Sequence, residues 1–268
     1  MISVILPVWK PKYNQLQKCL ESIVNQTYSD LEIIVIYRKS DNNEPFFSLL
    51  DSFNDKRIKV LVGKSKGFVN ALNEGVNASS GEIIGRIDAD DYNDKTRFEK
   101  ELQYMKENNL DIVGTWANKI SEEGKIIGKI EVPKTHEEIR KSIMFHCPML
   151  HPTILMKKQM LIDVGMYDES FIHAEDYELY FRIMSRNYRF GNMPEHLVNI
   201  REDQDSRSRG EEWKMQRKYY MKAKNKAFFH YGFTTPRDAI YHILTPISRI
   251  MSPKLWMKMK KFTGWDKS

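Results

Sequence analysis

Short apolar runs alternate with stretches of helical spacing along the first third of this chain. Residues 3–8 form an unbroken strand-like run, and residues 13–25 follow with apolar positions three and four apart. The switch repeats, with strand patterns at residues 31–37 and 58–62, a helix over 68–78 and a strand over 82–88. Runs of this kind, apolar at nearly every position, belong to strands buried on both faces of a mostly parallel sheet with helices packed on each side. The pattern therefore predicts an α/β fold. The second half is less regular: a hairpin around residues 122–125, helices near 96, over 137–144 and over 176–185, and a strand over 197–200. No internal repeat and no low-complexity segment interrupts it. Near the carboxyl end, Ile240, Ile243, Leu244, Ile247, Ile250 and Met251 return to helical spacing. This predicts a main domain over residues 1–210 and a helical extension over 211–268.

The strand over 82–88 runs straight into Asp88, Ala89, Asp90 and Asp91. Residues i and i+2 of an extended segment face the same side, so Asp88 and Asp90 can meet one ligand together. Two hard oxygen donors suit Mn²⁺ or Mg²⁺, which complete their shells with phosphate and water. A solvated acidic turn ahead of the helix near Thr96 is the plainer reading. Location favours the metal, because ligands of such sheets bind beyond the carboxyl ends of the strands. A second acidic pair, Glu175 and Asp176, opens the helix over 176–185, where a first-turn charge and a general base are both sensible roles. Between Gly63 and Gly67, Lys64 and Lys66 precede a helix start; the spacing is not that of a Walker loop, and the lysines either approach an anion or are solvated.

Charge changes the picture at one end only. The chain of 268 residues carries a net +6, and residues 237–268 supply +5 of it, seven Lys or Arg against two Asp. Leu255, Trp256, Met259 and Phe262 lie among Lys254, Lys258, Lys260 and Lys261, the composition of a basic amphipathic helix on an anionic membrane surface. The same face would also serve for packing on the protein itself. Two cysteines, Cys19 and Cys147, form neither a disulfide framework nor a metal spacing. No apolar stretch reaches bilayer length, and Met1 leads directly into a strand with no basic leader, so the expected location is cytoplasmic, peripheral on the inner face of the cell membrane. Nothing points to a nucleic-acid partner, and the oligomeric state is left open.

Taken together, the opening strand 3–8, the run 67–81 with Ala71-Leu72-Asn73 and Gly75, the cluster Asp88-Ala89-Asp90-Asp91, His151-Pro152-Thr153, Gly165-Met166-Tyr167-Asp168, and Glu175-Asp176 with Leu179 and Arg182 resemble glycosyltransferase family 2, inverting enzymes of GT-A fold. The resemblance covers roughly residues 1–205 and is nearest to the bacterial surface-polysaccharide type. It implies that Asp90, with Asp88, binds Mn²⁺ or Mg²⁺ across a donor diphosphate. Asp88 would also lie against the donor's ribose or sugar, and Asp176 would be the catalytic base. It further implies that Glu175 holds a sugar, that Pro7 lies where the nucleotide base sits, and that Asn73, His151, Lys66 and Arg201 approach the donor. Arg207 and Arg209 would belong with Arg201 to a segment closing over the diphosphate. The chain departs from the family in two places: Tyr37 and Arg38 stand where acidic residues usually contact uracil, so that either Asp41 substitutes or Arg38 reads another base or holds the diphosphate, and Asp203 replaces a histidine, either as a carboxylate ligand or with that role lost. The activity that the resemblance implies is transfer of a sugar from a nucleotide donor, UDP-linked, to a hydroxyl of a bacterial polysaccharide or lipid-linked saccharide. A sugar nucleotidyltransferase and a non-catalytic carbohydrate-binding protein are the alternatives.

Overall fold

The alternation is realised strand by strand in a computed structural model, which describes residues 1–37, 44–64, 66–202 and 211–247. Strands β1 (Ile2–Val8), β2 (Leu31–Tyr37) and β3 (Ile58–Val62) run parallel, and β4 (Ile83–Arg86) joins the free side of β1, also parallel. Helices α1 (Tyr13–Val24), α2 (Glu44–Ser52) and α3 (Phe68–Ala78) make the crossovers.

Beyond β4 the sheet becomes mixed. β8 (Leu155–Lys157) pairs antiparallel with β4, β6 (Ile112–Ile120) antiparallel with β8, β9 (Phe190–Arg201) parallel with β6, and the two-residue β5 (Tyr92–Asn93) antiparallel with β9. β7 (Ile126–Ile130) folds back on β6 as the expected hairpin, a return too short for a parallel crossover. The nine strands thus run in the order β3-β2-β1-β4-β8-β6-β9-β5, with β7 beside β6.

Burial on both faces explains why β1 and β2 are apolar at every position but Ser3 and Glu32, which hydrogen-bond to each other. Ile5, Ile34 and Ile36 face one core with Val69, Leu72 and Val76 of α3, while Val4, Leu6, Ile33 and Val35 face the other with Leu16, Leu20 and Ile23 of α1. Gly75 sets the approach of α3: a Cβ there would lie 2.8 Å from Ile5 and 2.9 Å from Ile36. The chain leaves β1 toward β2 on one side and reaches β4 on the other, so the carboxyl ends of β1 and β4 bound the crevice where strand order reverses.

Helices α4 (Arg97–Glu107), α5 (His136–Ser142), α6 (Lys158–Asp163) and α7 (Glu175–Ser185) cover the second half. In the extension, α8 (Glu211–His230) and α9 (Pro236–Ile247) place Ala223, Ala227 and Tyr241 in the same core as Tyr177 and Phe181 of α7. Arg140 clamps α9 through both oxygens of Asp238, at 2.9 and 2.7 Å. The tail residues Leu255, Trp256, Met259 and Phe262 lie outside the described residues.

Candidate active site

A cleft of about 670 Å³ opens at the ends of β1 and β4, lined among others by Pro7, Trp9, Lys12, Phe68, Asp88, Asp90 and Arg201. Its acidic wall is the turn after β4. One carboxylate oxygen from each of Asp88, Asp90 and Asp91 lies within 4.8 Å of the other two. Burial, with the charge of Asp88, holds the Asp90 carboxyl above its ordinary range, and deeper burial raises Asp91 further. Asp91 accepts the Arg201 amide at 2.8 Å through Oδ1, while its buried Oδ2 has no hydrogen-bond partner among the described residues. Three crowded carboxylates, two of them open to the cleft and the third buried with an orphaned oxygen, are what a hard divalent cation would satisfy, so the residues present fit such an ion.

The turn is pinned from behind. Arg86, at the end of β4, donates from Nη1 to Asp88 Oδ2 at 2.8 Å and from Nη2 to Oδ1. Fully buried Arg97 donates to the Arg86 carbonyl at 3.1 Å and to Asn93 Oδ1 at 2.7 Å, tying α4 to both ends of the turn.

The second acidic pair starts α7. Ala174 precedes it with φ of 55°, a left-handed residue that turns the chain into the helix. Asp176 Oδ1 accepts the Tyr177 amide at 2.7 Å, and Oδ2 lies 3.8 Å from the Cys147 thiol. Burial raises Asp176 above the usual carboxylate range and pushes Glu175 up to about 7, the latter with help from Asp176. Glu175 lies 4.0 Å from His151, whose Nε2 is 2.8 Å from the Tyr167 hydroxyl. Burial and the nearby Arg86 charge keep that imidazole neutral, well below its ordinary pKa. Arg86 also acts electrostatically on Glu175 and Asp176, so one buried cation serves both acidic groups.

The sequence profile described as Glycosyl transferase family 2 matches residues 3–166. The chain belongs to glycosyltransferase family 2. This transferase is 36% identical over 205 residues to the O-antigen biosynthesis glycosyltransferase WbnJ of Escherichia coli, covering 75% of this chain and 79% of WbnJ. It is 28% identical to the amylovoran biosynthesis glycosyltransferase AmsE of Erwinia amylovora, covering 95% and 96% of the two chains. S. aureus TarS 1–349, solved with UDP-GlcNAc, superposes with a TM-score of 0.65 at 17% identity over 86% of this chain and 68% of its own. In its form without that ligand the shared part is 64% of the TarS chain. The α/β architecture described above is thus the GT-A fold.

Not every residue singled out in the transferase sequence reaches the cleft in the expected way. Pro7, Asp88 and Asp90 line it, and Lys66 stands exposed beside its lining residue Gly67. Asn73 does not present its amide to the cleft. Its Nδ2 donates to the Tyr167 carbonyl and its Oδ1 accepts the Tyr167 amide, both at 3.0 Å, so it clips α3 to the 165–168 segment. Arg201 lines the cleft, but its guanidinium is spent on the backbone carbonyls of Asp90, Ser121 and Glu122. His151 and Glu175 meet, whereas Glu175 and Asp176 are not cleft-lining residues. Trp116 packs on His196 and donates to the Val132 carbonyl at 2.9 Å. Asp41, Arg38, Asp203, Arg207 and Arg209 lie outside the described residues. Sequence reasoning missed Arg86, whose signal is a charged residue ending an apolar strand, and gave Tyr167 and Cys147 no place in the site.

Proposed function

We propose that this transferase moves a sugar from a nucleotide donor, UDP-linked, to a hydroxyl of a bacterial polysaccharide or lipid-linked oligosaccharide, with inversion and with help from Mn²⁺ or Mg²⁺. The observation that carries this reading is the pairing of the three-aspartate turn with a half-buried Asp176 under the influence of one arginine. WbnJ and AmsE are named for O-antigen and amylovoran biosynthesis, and TarS is solved with UDP-GlcNAc, which supports the donor and acceptor classes.

In this reading Asp90 and Asp88, with Asp91 beside them, would hold the ion, which when bound neutralises charge on the departing diphosphate. Pro7 and Phe68 give the nucleotide apolar walls. Asp176 takes the proton of the acceptor hydroxyl as its oxygen attacks the anomeric carbon opposite the leaving group, and a single displacement inverts that centre. Glu175, neutral below about pH 7, offers a hydroxyl donor to a sugar oxygen.

We assign the enzyme to the inner membrane surface. Phe229, Ile240 and Ile243 are 68%, 50% and 60% exposed on α8 and α9, and the sequence from residue 237 onward supplies most of the net positive charge. No helix among the described residues is long and apolar enough to cross a membrane, so an anionic lipid surface is the occupant this face fits.

Calorimetry of UDP, GDP, CDP, ADP and dTDP with and without Mn²⁺ tests the donor site. The expected result is Mn²⁺-dependent UDP binding that Asp90→Asn weakens by about tenfold or more. Absence of binding by any nucleotide would move the non-catalytic reading to the front.

A further inference from the structure

Tyr167 belongs to a short segment pinned from two sides. Asn73 on α3 exchanges two hydrogen bonds with its backbone, and Arg182 on α7 donates to the carbonyls of Val164 and of Met166, whose φ is 56°. The Tyr167 side chain is buried, and among the described residues its hydroxyl has one hydrogen-bond partner, His151 Nε2 at 2.8 Å. His151 opens the turn 151–153, where Thr153 Oγ1 donates to the Leu150 carbonyl at 2.8 Å and accepts the Thr115 amide at 3.1 Å. Both ends of the bond are thus fixed. A proton on Nε2 would donate to the tyrosine oxygen and strand the buried phenolic O–H, at the cost of its full desolvation. With the hydroxyl donating to Nε2 instead, the proton of the neutral ring lies on Nδ1. Nδ1 faces Glu175 Oε1 at 4.0 Å, longer than a hydrogen bond, as contacts in unliganded sites often are before a ligand tightens them.

We propose that Tyr167 and His151 are positioning residues: the fixed hydroxyl selects the Nδ1–H tautomer of His151, whose N–H turns to Glu175 Oε1 and leaves Oε2 as the atom that meets the sugar. The inference rests on the sugar-holding role of Glu175 given above, and adds which oxygen makes the contact and what sets that choice. The relay also ties α3, whose Phe68 and Ala71 line the cleft, to the first residue of α7.

Nitrogen NMR of the imidazoles in the full chain without ligand separates the two tautomers, and the signals lost in His151→Asn assign this ring among the seven histidines. The wild type should show Nδ1–H. Tyr167→Phe, which keeps the ring and loses only the hydroxyl, should shift it to Nε2–H. An Nε2–H wild type, or an unchanged tautomer in Tyr167→Phe, would overturn the proposal. Turnover is followed with Mn²⁺ as UDP release from whichever of UDP-glucose, UDP-galactose, UDP-GlcNAc and UDP-GalNAc the wild type consumes. Tyr167→Phe should lower kcat about tenfold with the donor KM within about twofold, and should lower it by less than about twofold in a Glu175→Ala background. His151→Asn keeps an N–H near the Nδ1 position and should retain about fivefold more kcat than His151→Gln, which keeps one near Nε2. Additive losses, or equal kcat in the two His151 variants, would overturn the relay and leave the transfer reading intact. Should Tyr167→Phe not fold, the wild-type tautomer and the two His151 variants decide. Consumption of none of the four donors would overturn the UDP-linked reading, and the tautomers alone would then decide the hydrogen-bond chain.

Discussion

The two acidic sites are held by different kinds of scaffold. At the donor turn the side-chain bonds of Arg86 and Arg97 are joined by backbone and sheet: the Asp91 amide donates to the Asp88 carbonyl at 3.1 Å, the Arg201 amide donates to Asp91, and the flanking strands are paired in the sheet. At the base side the anchors are side chains from distant segments. Fully buried Glu178 on α7 accepts from Arg182, Lys226 and Tyr231, each at 2.8 Å. Arg182 continues to the carbonyls of Val164 and Met166, at 2.5 and 2.6 Å, and Lys226 to Asp168 at 2.7 Å. A sheet-held turn loses little when one surface side chain changes, whereas a network of buried charges fails when any member is removed. The base side should therefore be the more fragile of the two.

The largest effect tests the base itself. Asp176→Asn should lower kcat by roughly 10²- to 10⁴-fold, with UDP affinity by calorimetry nearly unchanged; equal turnover would exclude Asp176 as the base. Next, Glu178→Leu strands Arg182 and Lys226 and should cost about 3–5 kcal/mol in urea unfolding. In the fraction still folded, kcat should fall more than UDP affinity, and an equal fall in both would break the contrast between the two scaffolds.

The contrast was also one of legibility. Strands β1 and β2 could be read because each is a short, nearly apolar run buried on both faces, and β3 from its apolar residues although Val60 and Val62 are exposed at the sheet edge. β5 and β8, with two and three residues, exist only through pairing with remote strands, and β9 begins at Phe190, seven residues ahead of its readable apolar end, across Gly191 and Pro194. The acidic residues stood out in both sites, but their supports did not. Lys226 reaches Asp168 and Glu178 across 58 and 48 residues of sequence, and its spacing on α8 carries no sign of the bond. Asn73 was legible as a polar residue on an apolar helix, while its partner, the Tyr167 backbone, was not.

A smaller effect should appear with pH. Burial pushes Glu101 on α4 up to about 7, with Arg97 opposing the shift, and pushes Glu175 to about the same value. Ordinary glutamate in an unfolded chain titrates near ~4.3. A folded pKa raised above that value gives a stability contribution that is complete below ~4.3 and is lost as pH rises through about 7. Melting temperature should thus fall between about pH 5 and pH 7.5, and Glu101→Gln should flatten that slope. A slope unchanged in Glu101→Gln would assign the effect elsewhere. The smallest change in turnover is expected at the extension. Ile240→Asp with Ile243→Asp should reduce sedimentation with anionic vesicles several-fold, about 1 kcal/mol or more, and leave turnover on a soluble acceptor within about twofold. Equal sedimentation would reject the lipid surface as the occupant of that face.

The hold of Arg97 on the acidic turn has a consequence for exchange with solvent. Its side chain is wholly buried between α4, the end of β4 and Asn93, and it cannot be released without opening that part of the core. The amides of Asp91 and Arg201 should then exchange their hydrogens for deuterium only through large openings, on the slow timescale of the central strands. A turn that slow to open is already in its working shape before a ligand arrives, so little of the binding free energy is lost to ordering it.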